Sequence, residues 1–163
     1  MRIFLAAIFA ILALRSAGAE SWCAYHNERF GTTAEVPADW RMGAPPENND
    51  GRVFTSPDGR AEIVVSGMFS IGPRSEEFAL RLGPLDGETI EYERRGRDWL
   101  VVSGVKGDKI FYRKSLLSCR DTIWNNISLE YPASEKKTYD PLVAHVAASL
   151  RAGKGYDYVT NCK

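Results

Sequence analysis

The chain has 163 residues, which suits one domain with a substantial hydrophobic core. Its 21 basic residues equal its 21 acidic residues in number, so the formal net charge is zero. This balance argues against a nucleic-acid-binding protein, which would show a basic excess, and against electrostatic attachment to anionic lipid.

The N-terminal segment predicts an export signal. Arg2 supplies a basic start, residues 3–14 form a nearly uninterrupted apolar run, and Ala17-Gly18-Ala19 is a small-residue cleavage site. The apolar run is too short to span a bilayer, which takes about 20 residues. We therefore expect cleavage near Ala19, a periplasmic or secreted protein without a stable membrane anchor, and a single globular domain over residues 20–163.

The three cysteines are Cys23, Cys119 and Cys162. An exported protein meets an oxidising compartment, so one disulfide bond is expected. We favour Cys119–Cys162, because it joins a predicted turn to a C-terminal tail that would otherwise fray; Cys23–Cys162 is the alternative. In the loop-entropy model such a bond contributes roughly 3–4 kcal/mol. No pair of cysteines or histidines has the spacing of metal ligands, so we predict neither a metal nor a cofactor.

Residues 22–30 are an entry segment that leads into the first predicted strand, over residues 29–37. Alternating residues along that strand share one face, and Pro37 ends the ladder. A loop over residues 41–51 follows. Loops held on a rigid scaffold often carry function, so this loop is the predicted contact surface. Its polar tip consists of Glu47, Asn48, Asn49 and Asp50.

A β-hairpin is the clearest local signal in the chain. Ser56-Pro57-Asp58-Gly59 matches a type I turn, in which Pro57 presets φ and Gly59 accepts the positive φ that follows. The arms, residues 52–55 and 60–66, are rich in β-branched side chains, as strands prefer.

The middle of the chain predicts one short helix and then a meander. Ser75 is a plausible N-cap, and Gly83-Pro84 ends the helix. Four strands are then predicted, separated by short turns. They cover residues 88–94, 99–105, 110–118 and 122–131.

A second helix is predicted after Asp140, which would cap it, with Pro141 at the first helical position and Gly153 as the stop. An apolar stripe at helical spacing should pack on the sheet. The stripe consists of Leu142, Val143, Val146, Ala147 and Leu150. The element order predicts an α+β domain with a mostly antiparallel sheet of about six strands and two flanking helices.

Several segments carry a family resemblance that covers nearly all of residues 22–152. They are Arg29-Phe30-Gly31, Val36-Pro37-Ala38-Asp39, residues 46–51, residues 54–59, Trp99 to Gly104, residues 110–114, Tyr131-Pro132 and Tyr139-Asp140-Pro141. On these residues the chain resembles small exported proteins of alphaproteobacteria. The resemblance implies a fold similar to the Mog1/PsbP-like domains, and a binding or assembly module rather than an enzyme. No catalytic residue carries over.

Catalytic candidates are few. A hydrolase would have to use His26 or His145, and no Gly-x-Ser-x-Gly motif accompanies either. Cys23 near His26 is conceivable as a nucleophile and base, but a structural or unpaired cysteine is the better interpretation. The acidic loop tip lacks the ligand ladder of an EF-hand.

The sequence thus predicts a non-catalytic binding module for an unknown protein or envelope component, acting through one face of the sheet and the loop at 41–51. An inhibitor of a hydrolase, plugging an active site with that loop, is one alternative. A hydrolase using His26 or His145 is the other.

Overall fold

The computed structural model describes residues 21–153, which contain nine strands and two helices. The strands are β1 (Trp22–His26), β2 (Thr33–Pro37), β3 (Arg41–Met42), β4 (Gly51–Thr55), β5 (Glu62–Phe69), β6 (Glu88–Arg95), β7 (Trp99–Lys106), β8 (Lys109–Ser118) and β9 (Ile123–Pro132). The helices are α1 (Arg74–Leu82) and α2 (Lys136–Ser149), and a short 3-10 turn (Ala133–Glu135) precedes α2.

Seven strands form one antiparallel sheet in the order β3-β4-β5-β9-β8-β7-β6, and β1 pairs with β2 in a separate two-stranded sheet. The predicted α+β class with two helices is therefore confirmed. The meander β6–β9 is also as predicted, with β9 returning to pair with β5.

The two helices lie on opposite faces of the large sheet, because alternate residues of a strand point to opposite faces. Ile127 and Leu129 of β9 join a core with the apolar stripe of α2, whereas Trp124 of the same strand joins a second core with Phe78 of α1. We call these sides the α2 face and the α1 face. The two-stranded sheet packs on the α2 face through Ala34 and Val36.

The hairpin between β4 and β5 follows its turn chemistry. Gly59 has a φ of +73°, and its N–H donates to the carbonyl of Ser56 at 2.9 Å. The Asp58 carboxylate accepts hydrogen bonds from the Ser56 hydroxyl and the Arg60 backbone N–H. These bonds lower the pKa of Asp58 from 3.8 to about 2.

The segment before β2 differs from the prediction. β1 is a strand that the sequence did not reveal, and the next strand begins at Thr33 instead of Arg29. Asn27 forms a turn in place of the predicted strand start: its carboxamide oxygen accepts from the Phe30 N–H, and its backbone carbonyl accepts from the Gly31 N–H. Asx turns of this kind compete with strand pairing.

Phe30 then packs directly on β5. A Cβ atom built on Gly67 would lie 2.2 Å from Cβ of Phe30, so only glycine admits this approach. Because Phe30 fills this space, the 27–32 turn lies tightly against the end of the sheet.

Two predicted helix starts were wrong. α1 begins at Arg74 after Pro73, with no side-chain cap, so Ser75 lies inside its first turn instead of capping it. α2 begins at Lys136, which places Asp140 and Pro141 inside the helix. Pro141 is the sixth residue of this helix, beyond the first four N–H groups that have no helical partner, so it removes one regular helical hydrogen bond. The predicted end at Gly153 also shifts, because α2 ends at Ser149 and Arg151 then bridges to Thr33.

The predicted signal segment and Cys162 lie outside the described residues. Cys23 carries a free, exposed thiol. The Cys119–Cys162 bond stays a prediction.

Candidate functional site

The predicted contact loop is held at one end and exposed at the other. The Arg29 guanidinium donates to the Asn48 carbonyl at 2.6 Å, and the Asn27 side chain donates to the Asn49 carbonyl at 3.0 Å. Arg52 donates to the Asn49 side chain at 2.9 Å. Residues 44–48 are exposed. The loop therefore presents a fixed polar surface.

The acidic groups of this loop do not converge on a point. The Asp50 carboxylate accepts a hydrogen bond from the Asn48 side chain at 2.8 Å, so it is partnered within the loop. Among residues 21–153, no group of three or more metal-ligating side chains could hold an ion.

His145 lies on α2 against the small sheet. Its ring stacks on Trp22, with the centroids 3.7 Å apart, and its Nε2 lies 2.5 Å from a carboxylate oxygen of Glu35. The Ser149 hydroxyl, about one turn further along the helix, donates to the Val146 carbonyl and accepts from the Glu35 N–H. This arrangement joins α2 to β1 and β2, and it leaves the Ser149 hydroxyl engaged with the backbone.

His26 forms a hydrogen bond with the Thr33 hydroxyl at 3.0 Å. Cys23 lies three residues earlier on the same strand, and residues separated by an odd number point to opposite faces. The structure therefore does not bring the Cys23 thiol and the His26 ring together, contrary to what a Cys–His nucleophile needs.

A groove opens on the α1 face, between α1 and strands β5, β9 and β8. Its volume is about 450 Å³. Helix α1 has only nine residues and packs on β7 and on Trp124 of β9, so the part of this face around Ser66 and Ser128 stays open. We call this cavity the α1 groove.

Exposed apolar side chains line the α1 groove. Met68 is 46% exposed, Leu80 is 72% exposed and Leu85 is 57% exposed. Small polar side chains of the central strands line it as well, namely Ser66, Ser115, Asn126 and Ser128. A lining of apolar side chains with a few polar groups is the usual composition of a binding site.

A buried ion pair fixes the helix beside this groove. The Glu77 carboxylate accepts from the backbone N–H groups of Ile71 and Gly72, both at 3.0 Å, and from the Trp124 indole at 2.9 Å. It also pairs with Arg81, whose guanidinium lies over the Trp124 ring. Burial alone would raise the pKa of Glu77, but these N–H donors and the charge of Arg81 lower the pKa below its usual value.

A second ion pair holds the segment after α1. Arg113 of β8 pairs with Glu88 at 3.0 Å and donates to the Gly83 carbonyl at 3.0 Å. The Glu88 side chain is 2% exposed. Because both ends of the α1 segment are held to the sheet by charge-assisted bonds, the groove has a fixed wall.

The predicted loop and the α1 groove are neighbours. Gly51 pairs with Ser66 across β4 and β5, and the Gly67 N–H donates to the Asp50 carbonyl at 2.8 Å. The end of the loop therefore lies next to β5, the strand that carries the groove residues Ser66 and Met68.

The comparisons place the fold among known structures. The solution structure of cyanobacterial PsbP (CyanoP) from Synechocystis is 13% identical and superposes with a TM-score of 0.61, over 84% of this chain and 95% of that one. The crystal structure of Mog1p, a Ran-binding protein of Saccharomyces cerevisiae, is 14% identical, with a TM-score of 0.53 over 82% of this chain and 96% of that one. The chain has a PsbP/Mog1-like fold. No family model and no curated protein matches the sequence.

The described helices include none that is long and apolar enough to cross a membrane. The groove residues Met68, Leu80 and Leu85 were missed by the sequence analysis. Single exposed apolar residues are ordinary on protein surfaces, so only their placement around one cavity distinguishes them.

Proposed function

We propose that this protein is an exported, non-catalytic module that binds a protein partner through the α1 groove and the adjoining loop Glu47–Asp50. The observation that carries the proposal is the exposure of Met68, Leu80 and Leu85 around a groove with a fixed wall. Clustered exposed apolar side chains are typical of protein-binding surfaces.

The compartment is part of the proposal. The predicted signal segment supports release into the periplasm or the medium after cleavage near Ala19. Mog1p, a protein of similar fold, is a Ran-binding protein, which supports the use of this fold in protein recognition.

Site-specific photo-cross-linking tests the surface. A photoreactive amino acid placed at Leu80 should form a covalent adduct with one envelope protein when the full chain, with its signal segment, is expressed in its native cell. The matched control is the same amino acid at Met42, which is 58% exposed and lies on the edge strand β3. The proposal fails if both positions give the same adducts or if neither gives a specific one.

A further inference from the structure

A second groove lies on the α2 face, between α2 and the outer strands β6–β8. Its volume is about 660 Å³. Three tyrosines line it, namely Tyr92, Tyr112 and Tyr131, together with apolar side chains that include Ile110 and Val143. We call it the tyrosine groove. It lies on the opposite face of the sheet from the α1 groove.

The hydroxyls of Tyr92 and Tyr112 are available to a ligand, because neither takes part in a hydrogen bond within residues 21–153. Tyr131 forms the floor of the groove: it is 3% exposed, and its ring stacks on Tyr139. Burial raises the pKa of Tyr112 and of Tyr131, so both hydroxyls stay protonated and can donate at neutral pH. Tyr92 is 48% exposed.

The strand register leaves a slot between two of the rings. Tyr92 pairs with Ser103, and Ser103 pairs with Tyr112 on the next strand. The small Ser103 side chain turns into the sheet, where its hydroxyl donates to the Phe111 carbonyl at 2.7 Å. Strands β6 and β8 are two spacings apart, about 9.6 Å, so a small ring fits between the two tyrosines above Ser103.

A β-bulge places Tyr92 in this position. The register shifts between Ile90, which pairs with Gly104, and Tyr92, which pairs with Ser103. Without the extra residue, Glu91 would face Ser103 and Tyr92 would point to the α1 face. Bulges re-aim side chains in this way beside functional sites.

We propose that the tyrosine groove binds a proline-rich segment in the polyproline II conformation. Aromatic-lined grooves recognise such segments, because proline rings pack on aromatic faces and the peptide carbonyls accept hydrogen bonds. The polyproline II helix repeats every three residues, about 9.3 Å, close to the spacing of two strands. Two prolines three residues apart can therefore occupy the slots on either side of Tyr112, one over Ser103 and one beside Val143.

Charge complementarity selects among such segments. Lys136 and Asp140 line one end of the groove and pair with each other at 2.8 Å. Glu91 lines the β6 end and forms no salt bridge with another described residue. The groove thus has one unbalanced negative charge, which favours a basic residue next to the prolines.

Fluorescence anisotropy with a dye-labelled Lys-Pro-Pro-Ala-Pro-Pro-Ala peptide tests the proposal on the whole exported chain. We expect saturable binding that weakens about tenfold in Tyr92→Ala, as loss of an aromatic anchor does. Glu93→Ala is the matched control, since it lies on the same strand but pairs with Val102 on the other face. A peptide with alanine in place of every proline should not bind.

Two results would overturn the proposal: equal binding by wild type and Tyr92→Ala, or equal binding of the two peptides. A chitin oligosaccharide that binds in a Tyr92-dependent way, while the proline peptide does not, would assign the groove to glycans instead. Leu80→Glu should leave peptide binding unchanged, so this test is independent of the function proposed for the α1 groove.

Discussion

Glu77 is the residue on which the position of α1 on the sheet depends most. Its side chain is 7% exposed and that of its partner Arg81 is 12% exposed, so the pair is largely removed from water. Removing one partner of a buried ion pair leaves an uncompensated charge. Such changes typically cost about 3–5 kcal/mol.

Glu77→Gln should therefore lower the free energy of unfolding by about 3 kcal/mol, measured by urea denaturation at neutral pH. Glu76→Gln is the control, because Glu76 is its exposed neighbour on the same helix turn, and a change within about 0.5 kcal/mol is expected there. Equal small changes in both variants would show that the Glu77 network contributes little.

Asp58 predicts a pH dependence. Its pKa is about 2 in the folded chain against an ordinary 3.8, because the Ser56 hydroxyl and the Arg60 N–H bind the carboxylate. A depressed pKa stabilises the fold above pH 3.8, and the contribution is lost as the pH falls through about 2.

Asp58→Asn should thus be less stable than wild type at pH 6, and the difference between the two should shrink steadily between pH 4 and pH 2. Urea denaturation midpoints across this range provide the measurement. A difference that stays constant with pH would mean that the carboxylate charge is not responsible.

At the scale of elements, the sequence correctly predicted the elements whose geometry is determined by neighbouring residues. The β4–β5 hairpin was predicted from its turn residues, because Asp58 and Gly59 determine the geometry within four residues. The strands β6–β9 were predicted from short turns between apolar segments. β1 was missed because its partners lie in the small sheet and most of its side chains are exposed, so it carries no alternating apolar pattern.

The N-terminus of α2 shows the opposite case, in which a correct local preference gave a wrong boundary. Pro141 favours the first turn of a helix, but the chain already turns at Ala133–Glu135 and the helix continues from there. Tyr139, about one turn before Val143, is buried against Tyr131. Packing of this extra turn on the sheet outweighs the preference of the proline.

The predicted apolar stripe of α2 is confirmed, and it supports a sharp test. Val146 is fully buried, whereas Ala148 on the same helix is exposed. Val146→Asp should cost a few kcal/mol and lower the melting temperature by roughly 10 °C, since it buries an unpaired charge. Ala148→Asp should change it little. Similar melting temperatures for both variants would contradict the packing of α2 described above.

At the scale of the whole molecule, the sheet is wider than its helices can cover. α2 packs on β5 and β9 on one face, and α1 packs on β7 and on Trp124 of β9 on the other. Each face therefore keeps an uncovered part, and a groove lies in each. The sequence could predict the two helices and the sheet. It could not predict which part of each face stays open, because that depends on strand order.

For the candidate site, too, the sequence predicted some of the residues, and strand pairing determined which of them lie together. Residues Glu47–Asp50 were predicted as a contact surface, and their place at the end of β5 comes from the pairing of β4 with β5. Leu80 looks like an ordinary exposed helix residue in the sequence. Its role in the α1 groove depends on α1 packing on the same face of the sheet that carries Met68.

The most direct test of the α1 groove as a protein-binding surface is a quantitative pull-down from periplasmic and outer-membrane extract with three baits. The baits are the oxidised mature chain, its Leu80→Glu variant and its Met42→Glu variant, with bound proteins identified and counted by mass spectrometry. We predict one protein in near-stoichiometric amount on wild type and Met42→Glu, and its loss on Leu80→Glu. Equal recovery on all three baits, or only background proteins on wild type, would contradict a binding module that acts through the α1 groove.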